Sequence, residues 1–99
     1  MKKKEVIVKI SPKVEKELKK LKKQNKNVVK LFFKQLKLLE KDINYPSLHL
    51  KKYYHKDNPN LWEIRINLQY RAILELFETE KSYNFLVIKV GKHDILDNF

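Results

Sequence analysis

The chain contains no cysteine. That removes a disulfide framework, a thiolate metal site and a cysteine nucleophile, so stability has to come from packing, and zinc fingers are excluded. Glycine occurs once, at Gly91, which excludes a glycine-rich phosphate loop and a dinucleotide fingerprint, and with them ATPases, GTPases and Rossmann enzymes. Long apolar runs are missing too: Leu31-Phe32-Phe33 and Phe85-Leu86-Val87-Ile88 fall far short of the roughly 18 to 20 residues that span a bilayer. The opening Met1-Lys2-Lys3-Lys4-Glu5 is followed only by the short apolar residues 6–10, too brief and too charged for a signal peptide. A soluble cytoplasmic protein with no membrane partner is expected. His49, His55 and His93 lack metal-ligand spacing, and Ser11, Ser47 and Ser82 lack a nucleophile signature, so neither a metal nor a small-molecule cofactor is expected.

What the chain has in excess is lysine. Its 99 residues suit a single domain, residues 1–99, and 42% hydrophobic content is enough to build one core. The 23 basic and 12 acidic side chains leave a formal charge of +11. Residues 1–56 carry +13 of it and residues 57–99 carry −2. The positive field therefore belongs to the N-terminal half, where it attracts polyanions at long range but carries no sequence information. Solvated lysine faces are the plain alternative.

Residues 5–10 are β-branched and alternate, which predicts a first strand. Ser11-Pro12 supplies an N-cap and a first-turn proline, and Val14, Leu18 and Leu21 recur at helical spacing, predicting a helix over residues 12–24. Asn25-Lys26-Asn27 interrupts the pattern. A second helix follows, with Val29, Phe32, Leu36, Leu39 and Ile43 on one stripe, ending near Asp42. Residues 44–60 show no period, and cations alternate with rings at Lys51, Lys52, Tyr53, Tyr54 and His55, so this long loop is a candidate surface for RNA. Tyr53 and Tyr54 closing the core edge is the alternative. Three strands then follow, over residues 61–67, 70–77 and 83–91, with Glu63 and Arg65 on the face opposite Trp62, Ile64 and Ile66. The expected fold is α+β, an N-terminal strand and two helices packed on one face of a mostly antiparallel four-stranded sheet.

The residues left for chemistry lie on the strands: Glu63, Arg65, Arg71, Lys89, Lys92 and His93. Among 21 lysines, the only two arginines sit six residues apart across one short turn. Arginine offers a planar, permanently charged fork that fits phosphate. A loop of three or five residues pairs position 65 with 71 on one face, whereas a tight turn at Leu68-Gln69 separates them; the lack of glycine there disfavours the tight turn. On the last strand Leu86, Ile88 and Val90 are expected on the core side, and Lys89 and His93 on the other. A histidine beside two phosphate-binding arginines suits metal-free RNA cleavage, in which the substrate's own 2′-hydroxyl is the nucleophile. The plain alternatives are that Arg65 pairs with Glu63 or Glu75, and that His93 caps the sheet end.

Pro46-Ser47-Leu48-His49-Leu50-Lys51-Lys52, the stretch Leu61-Trp62-Glu63-Ile64-Arg65-Ile66-Asn67-Leu68-Gln69-Tyr70-Arg71-Ala72-Ile73 and the closing Val87-Ile88-Lys89-Val90-Gly91-Lys92-His93-Asp94 resemble the RelE/ParE superfamily of type II toxin–antitoxin toxins. RelE-like members enter the ribosomal A site and cut mRNA, each held inactive by an antitoxin; ParE-like members share the fold and poison DNA gyrase. The resemblance implies a ribosome-dependent mRNA endonuclease with a cognate antitoxin, the ribosome and mRNA as partners. The alternatives are a gyrase inhibitor without catalysis and an inactive homologue. By the same resemblance Arg71 grips the scissile phosphate, Arg65 occupies the basic position of the preceding strand, His93 stands at a catalytic position, and Lys92 is its basic neighbour. Two positions depart from the pattern: Glu63 replaces a lysine that some members use as base, and Phe99 stands where several have a terminal tyrosine. Phe99 can stack on a base but not transfer a proton. Lys51, Lys52 and Tyr53 are expected at the RNA, and Lys19, Lys20 and Lys23 on ribosomal RNA.

Overall fold

The computed structural model describes residues 4–96. Its elements are β1 (Glu5–Ile10), α1 (Pro12–Gln24), α2 (Lys26–Lys41), a 3-10 turn (Pro46–Leu48), β2 (Lys51–Lys52), β3 (Leu61–Arg65), β4 (Tyr70–Glu78), β5 (Ser82–Lys92) and α3 (His93–Leu96). No described helix is long and apolar enough to cross a membrane.

Capping sets the helix boundaries. Ser11 Oγ accepts from the Val14 N–H at 3.3 Å and Pro12 opens the first turn of α1. Asn25 serves both helices: its N–H donates to the Leu21 carbonyl at 2.7 Å, and its side chain accepts from the Val28 N–H at 3.3 Å. One residue thus joins α1 to α2 as a hairpin.

The sheet order is β1-β5-β4-β3-β2, with β1 parallel to β5 and the other pairs antiparallel. It has five strands rather than four. The extra one is β2, in which Lys51 pairs with Glu63 and Lys52 with Trp62. Two lysines have no period to read, and only their partner strand makes them a strand.

Both helices cover one face. Val14, Leu18, Val28, Phe32, Leu36 and Leu39 pack on Ile64, Ala72, Leu74, Phe85 and Val87. The second face is not merely polar: Leu61 and Ile73 form a smaller buried cluster, flanked by Tyr53 and Ile88. The β4–β5 register slips between Ile73 and Leu74, so the core side of β5 changes parity: Phe85 and Val87 face the helices before the slip and Val90 after it. Leu86 and Ile88 are therefore not the core residues of this strand that alternation alone predicts.

Candidate functional site

The turn after β3 places the two arginines. Arg65 and Arg71 are direct partners in the β3–β4 ladder, so both project from the face opposite the helices. Asn67 shapes the loop without glycine: its Oδ1 accepts from the Gln69 N–H at 2.9 Å and the Tyr70 N–H at 2.8 Å. The Ile66 and Asn67 N–H groups both donate to the Tyr70 carbonyl, at 3.0 and 3.3 Å. Arg71 reinforces the same turn, its Nη1 donating to the carbonyls of Asn67 and Tyr70. Burial, and then neighbouring Arg65, push the Arg71 guanidinium below its ordinary value, while Glu63 pulls it up. It stays charged.

Arg65 is held from two directions. Its carbonyl accepts at 2.8 Å from Gln35, a buried α2 residue that also donates to the Ser47 carbonyl at 3.0 Å and so ties the 3-10 turn to the end of β3. Its Nη1 lies 3.3 Å from Nε2 of His49. A guanidinium only donates, so this contact needs Nε2 as acceptor and the proton on Nδ1. The Arg65 Nε is buried with no hydrogen-bond partner. His49 itself has φ 47°, the single positive-φ non-glycine among the described residues. Such left-handed backbone costs roughly 1–2 kcal/mol, and strain of this kind gathers at functional positions.

Glu63 lies on the same face, two residues before Arg65 and opposite Ile73. It is only 4% exposed, and its carboxylate meets the Lys51 ammonium at 3.2 Å. The second apolar cluster explains this burial: a charge predicted on the open face stands instead beside Leu61 and Ile73.

The remaining candidates are distributed around this centre. The His93 N–H donates to the Gln69 carbonyl at 2.8 Å, which seats the start of α3 against the β3–β4 turn. Its ring is exposed, and no hydrogen bond joins it to either arginine among the described residues. Lys92 pairs with Tyr70 at the strand end. Lys89, expected to share the face of His93, instead reaches Glu17 of α1 at 3.6 Å; the register slip beside it breaks the simple alternation. Lys51 is exposed, whereas Lys52 lies over the Trp62 ring, 5.3 Å from its centroid, and donates to the Pro59 carbonyl. Tyr53 packs on the Leu61–Ile73 cluster, and Tyr54 is 88% exposed. Lys19, Lys20 and Lys23 are exposed on α1, and Lys20 shares with Tyr70 and Lys92 a groove of about 390 Å³ between α1 and the end of β5. Phe99 lies outside the described residues.

The assembled centre is Arg65, Arg71, Glu63, Lys51 and His49, with His93 at its margin. It combines two guanidinium forks, a buried carboxylate and an imidazole. The sequence marks His49 as one of three histidines without metal-ligand spacing and as part of a resembling segment; its left-handed backbone and its contact with Arg65 follow from no local pattern.

No protein-family model matches the sequence, and no curated protein does either. Solved structures match it. A YoeB/ParE toxin from Agrobacterium tumefaciens aligns with a TM-score of 0.70 at 9% identity, covering 88% of this chain and 98% of that one. YoeB in a YoeB–YefM complex from Staphylococcus aureus aligns with a TM-score of 0.60 at 17% identity, over 82% and 91% of the two chains. A YoeB dimer from Staphylococcus aureus gives a TM-score of 0.59 at 17% identity, over 85% and 94%. The chain shares the fold of these structures, the fold that the sequence resemblance implies.

Proposed function

We propose that this protein is the toxin of a type II toxin–antitoxin system and that it cuts mRNA on the ribosome, in the cytoplasm, until a cognate antitoxin neutralises it. The observation that carries the reading is the direct pairing of Arg65 with Arg71 on the open face of the sheet. The superfamily fold supports it, and the YoeB–YefM complex supports an antitoxin as partner.

In this reading the arginines hold the scissile phosphate and stabilise the charge that gathers on its oxygens during attack. Each guanidinium brings the Nη donors that its neighbours leave over. Glu63 accepts the proton of the 2′-hydroxyl once Lys51 leaves its carboxylate for the RNA backbone. The 2′-oxygen bonds to phosphorus, the bond from phosphorus to the 5′-oxygen breaks, and His93 protonates that leaving oxygen. The products are a 2′,3′-cyclic phosphate and a 5′-hydroxyl. Lys92 adds positive charge beside His93.

Inducible expression followed by mapping of mRNA 5′ ends tests the proposal, with a gyrase supercoiling assay alongside. New mRNA ends with normal supercoiling are expected. Blocked supercoiling without new ends assigns the chain to the ParE-like alternative, and neither effect marks an inactive homologue.

A further inference from the structure

An arginine pair grips phosphate, which every nucleotide carries alike; a base needs a different surface. A groove of about 380 Å³ opens at the helix-side edge of β3, lined by Asn44, Tyr45, Pro46, His49, Leu50 and Trp62 among others, and His49 links it to Arg65. Resting on the RNA-cleaving reading above, we propose that this groove binds one unpaired nucleobase of the RNA whose phosphate sits on Arg65.

Continuity comes first. His49 lines the groove and touches the Arg65 guanidinium at 3.3 Å, so a single side chain separates the phosphate site from the base site, as a ribose separates the two in a nucleotide. His49 carries its left-handed backbone, φ 47°, at this junction. Composition comes second. Tyr45, 43% exposed, and the exposed Pro46 offer apolar ring surface to a flat ligand. Trp62, on the sheet face opposite Arg65, forms another wall, and the Lys52 ammonium lies over its ring. Aromatic walls with nearby cations are how single-stranded nucleic acid is held, since every base has a π-face. The third point is an edge reader. Asn44 is fixed by its backbone N–H donating to Asp42 at 2.9 Å, and its side-chain amide makes no hydrogen bond among the described residues. An amide supplies both a donor and an acceptor to a base edge. An acidic peptide would share the attraction to Arg65 but not the stacking.

Trp62 is the single tryptophan of the chain, so its fluorescence reads the groove directly. The full chain is titrated with a single-stranded hexaribonucleotide and with the same sugar–phosphate backbone lacking bases. The base-bearing probe is expected to quench Trp62, and the abasic one to bind more weakly and leave the emission unchanged. Tyr45→Ala, at an exposed position, should weaken hexanucleotide binding by about 5- to 150-fold, the range of one stacking contact, and abolish the preference for bases, whereas Tyr45→Phe should retain it. Equal binding and equal quenching by the two probes overturn the proposal, as does a Tyr45→Ala protein that still prefers bases. Quenching by an acidic peptide as strong as that by RNA overturns it in favour of a protein ligand. The cleavage assay is scored separately: expression without new mRNA ends removes the enzyme while a base preference keeps the groove, and cleavage by a protein with no base preference removes the groove alone.

Discussion

Arg71 performs two tasks, closing the β3–β4 turn through the Asn67 and Tyr70 carbonyls and presenting the rest of its fork to the open face. Replacing it by alanine should slow single-turnover RNA cleavage roughly 10²-fold or more, the loss of one transition-state contact worth about 3 kcal/mol. The melting temperature should fall modestly as well. Arg71→Lys keeps the charge and loses the fork, so cleavage that stays low in Arg71→Lys identifies bidentate binding as the requirement; near-normal cleavage by a folded Arg71→Ala protein removes the residue from the site. The role of acid falls to His93 in the proposed reaction. His93→Gln is expected to preserve ribosome binding and slow single-turnover cleavage by roughly 10² to 10⁴. If His93 only caps the sheet end, the rate stays unchanged and only the melting temperature moves. His49 answers to a different test, because its left-handed backbone is a conformation glycine adopts freely. His49→Gly should leave the melting temperature unchanged or raised while cleavage falls, the signature of strain retained for function.

At the level of elements, the arrangement around Arg65 rests on a buried residue of the helix layer. Gln35 of α2 donates to both the Ser47 and Arg65 carbonyls, and thereby holds the 3-10 turn, with His49 behind it, against the end of β3. Gln35→Leu strands two acceptors, a loss of about 2–4 kcal/mol, and thermal denaturation should show a fall of at least about 8 °C. An unchanged melting temperature would mean that these bonds do not anchor the turn. The elements themselves were largely legible in the chain: Ser11-Pro12 and Asn25 mark the helix ends by capping chemistry that needs no tertiary partner. The shared face of Arg65 and Arg71 was legible too, because a loop without glycine avoids the tight turn that would part them. What stayed hidden is what other elements decide. Lys51 and Lys52 become a strand only beside Glu63 and Trp62. Glu63 is buried because Leu61 and Ile73 cluster on a face that alternation marks as open. Lys89 turns to Glu17 where the β4–β5 register slips, and the left-handed backbone of His49 follows from no local pattern.

Across the whole molecule, charge and chemistry occupy different regions that meet at one end of the sheet. The N-terminal half carries +13, and Lys20 of α1 shares a groove with Tyr70 and Lys92, next to the turn that bears Arg71. This places a broad cationic surface near the strand end that bears the arginine pair. We expect Lys19, Lys20 and Lys23 to dock the protein on ribosomal RNA, so reversing them to glutamate should weaken ribosome binding in a salt-dependent way without changing which mRNA position is cut. Binding insensitive to both salt and these reversals would leave the lysines as solvated surface. The central claim is narrower, that the arginine pair on the open sheet face cleaves RNA through the substrate's own 2′-hydroxyl. It is tested most directly by mapping mRNA fragments, with their end chemistry, from cells expressing the wild-type chain or Arg71→Ala. The expected result is downstream fragments with new 5′-hydroxyl ends and matching upstream fragments that end in 2′,3′-cyclic phosphates in the wild type, and their near absence in Arg71→Ala. New ends carrying a 5′-phosphate, or identical ends in the two strains, would contradict it.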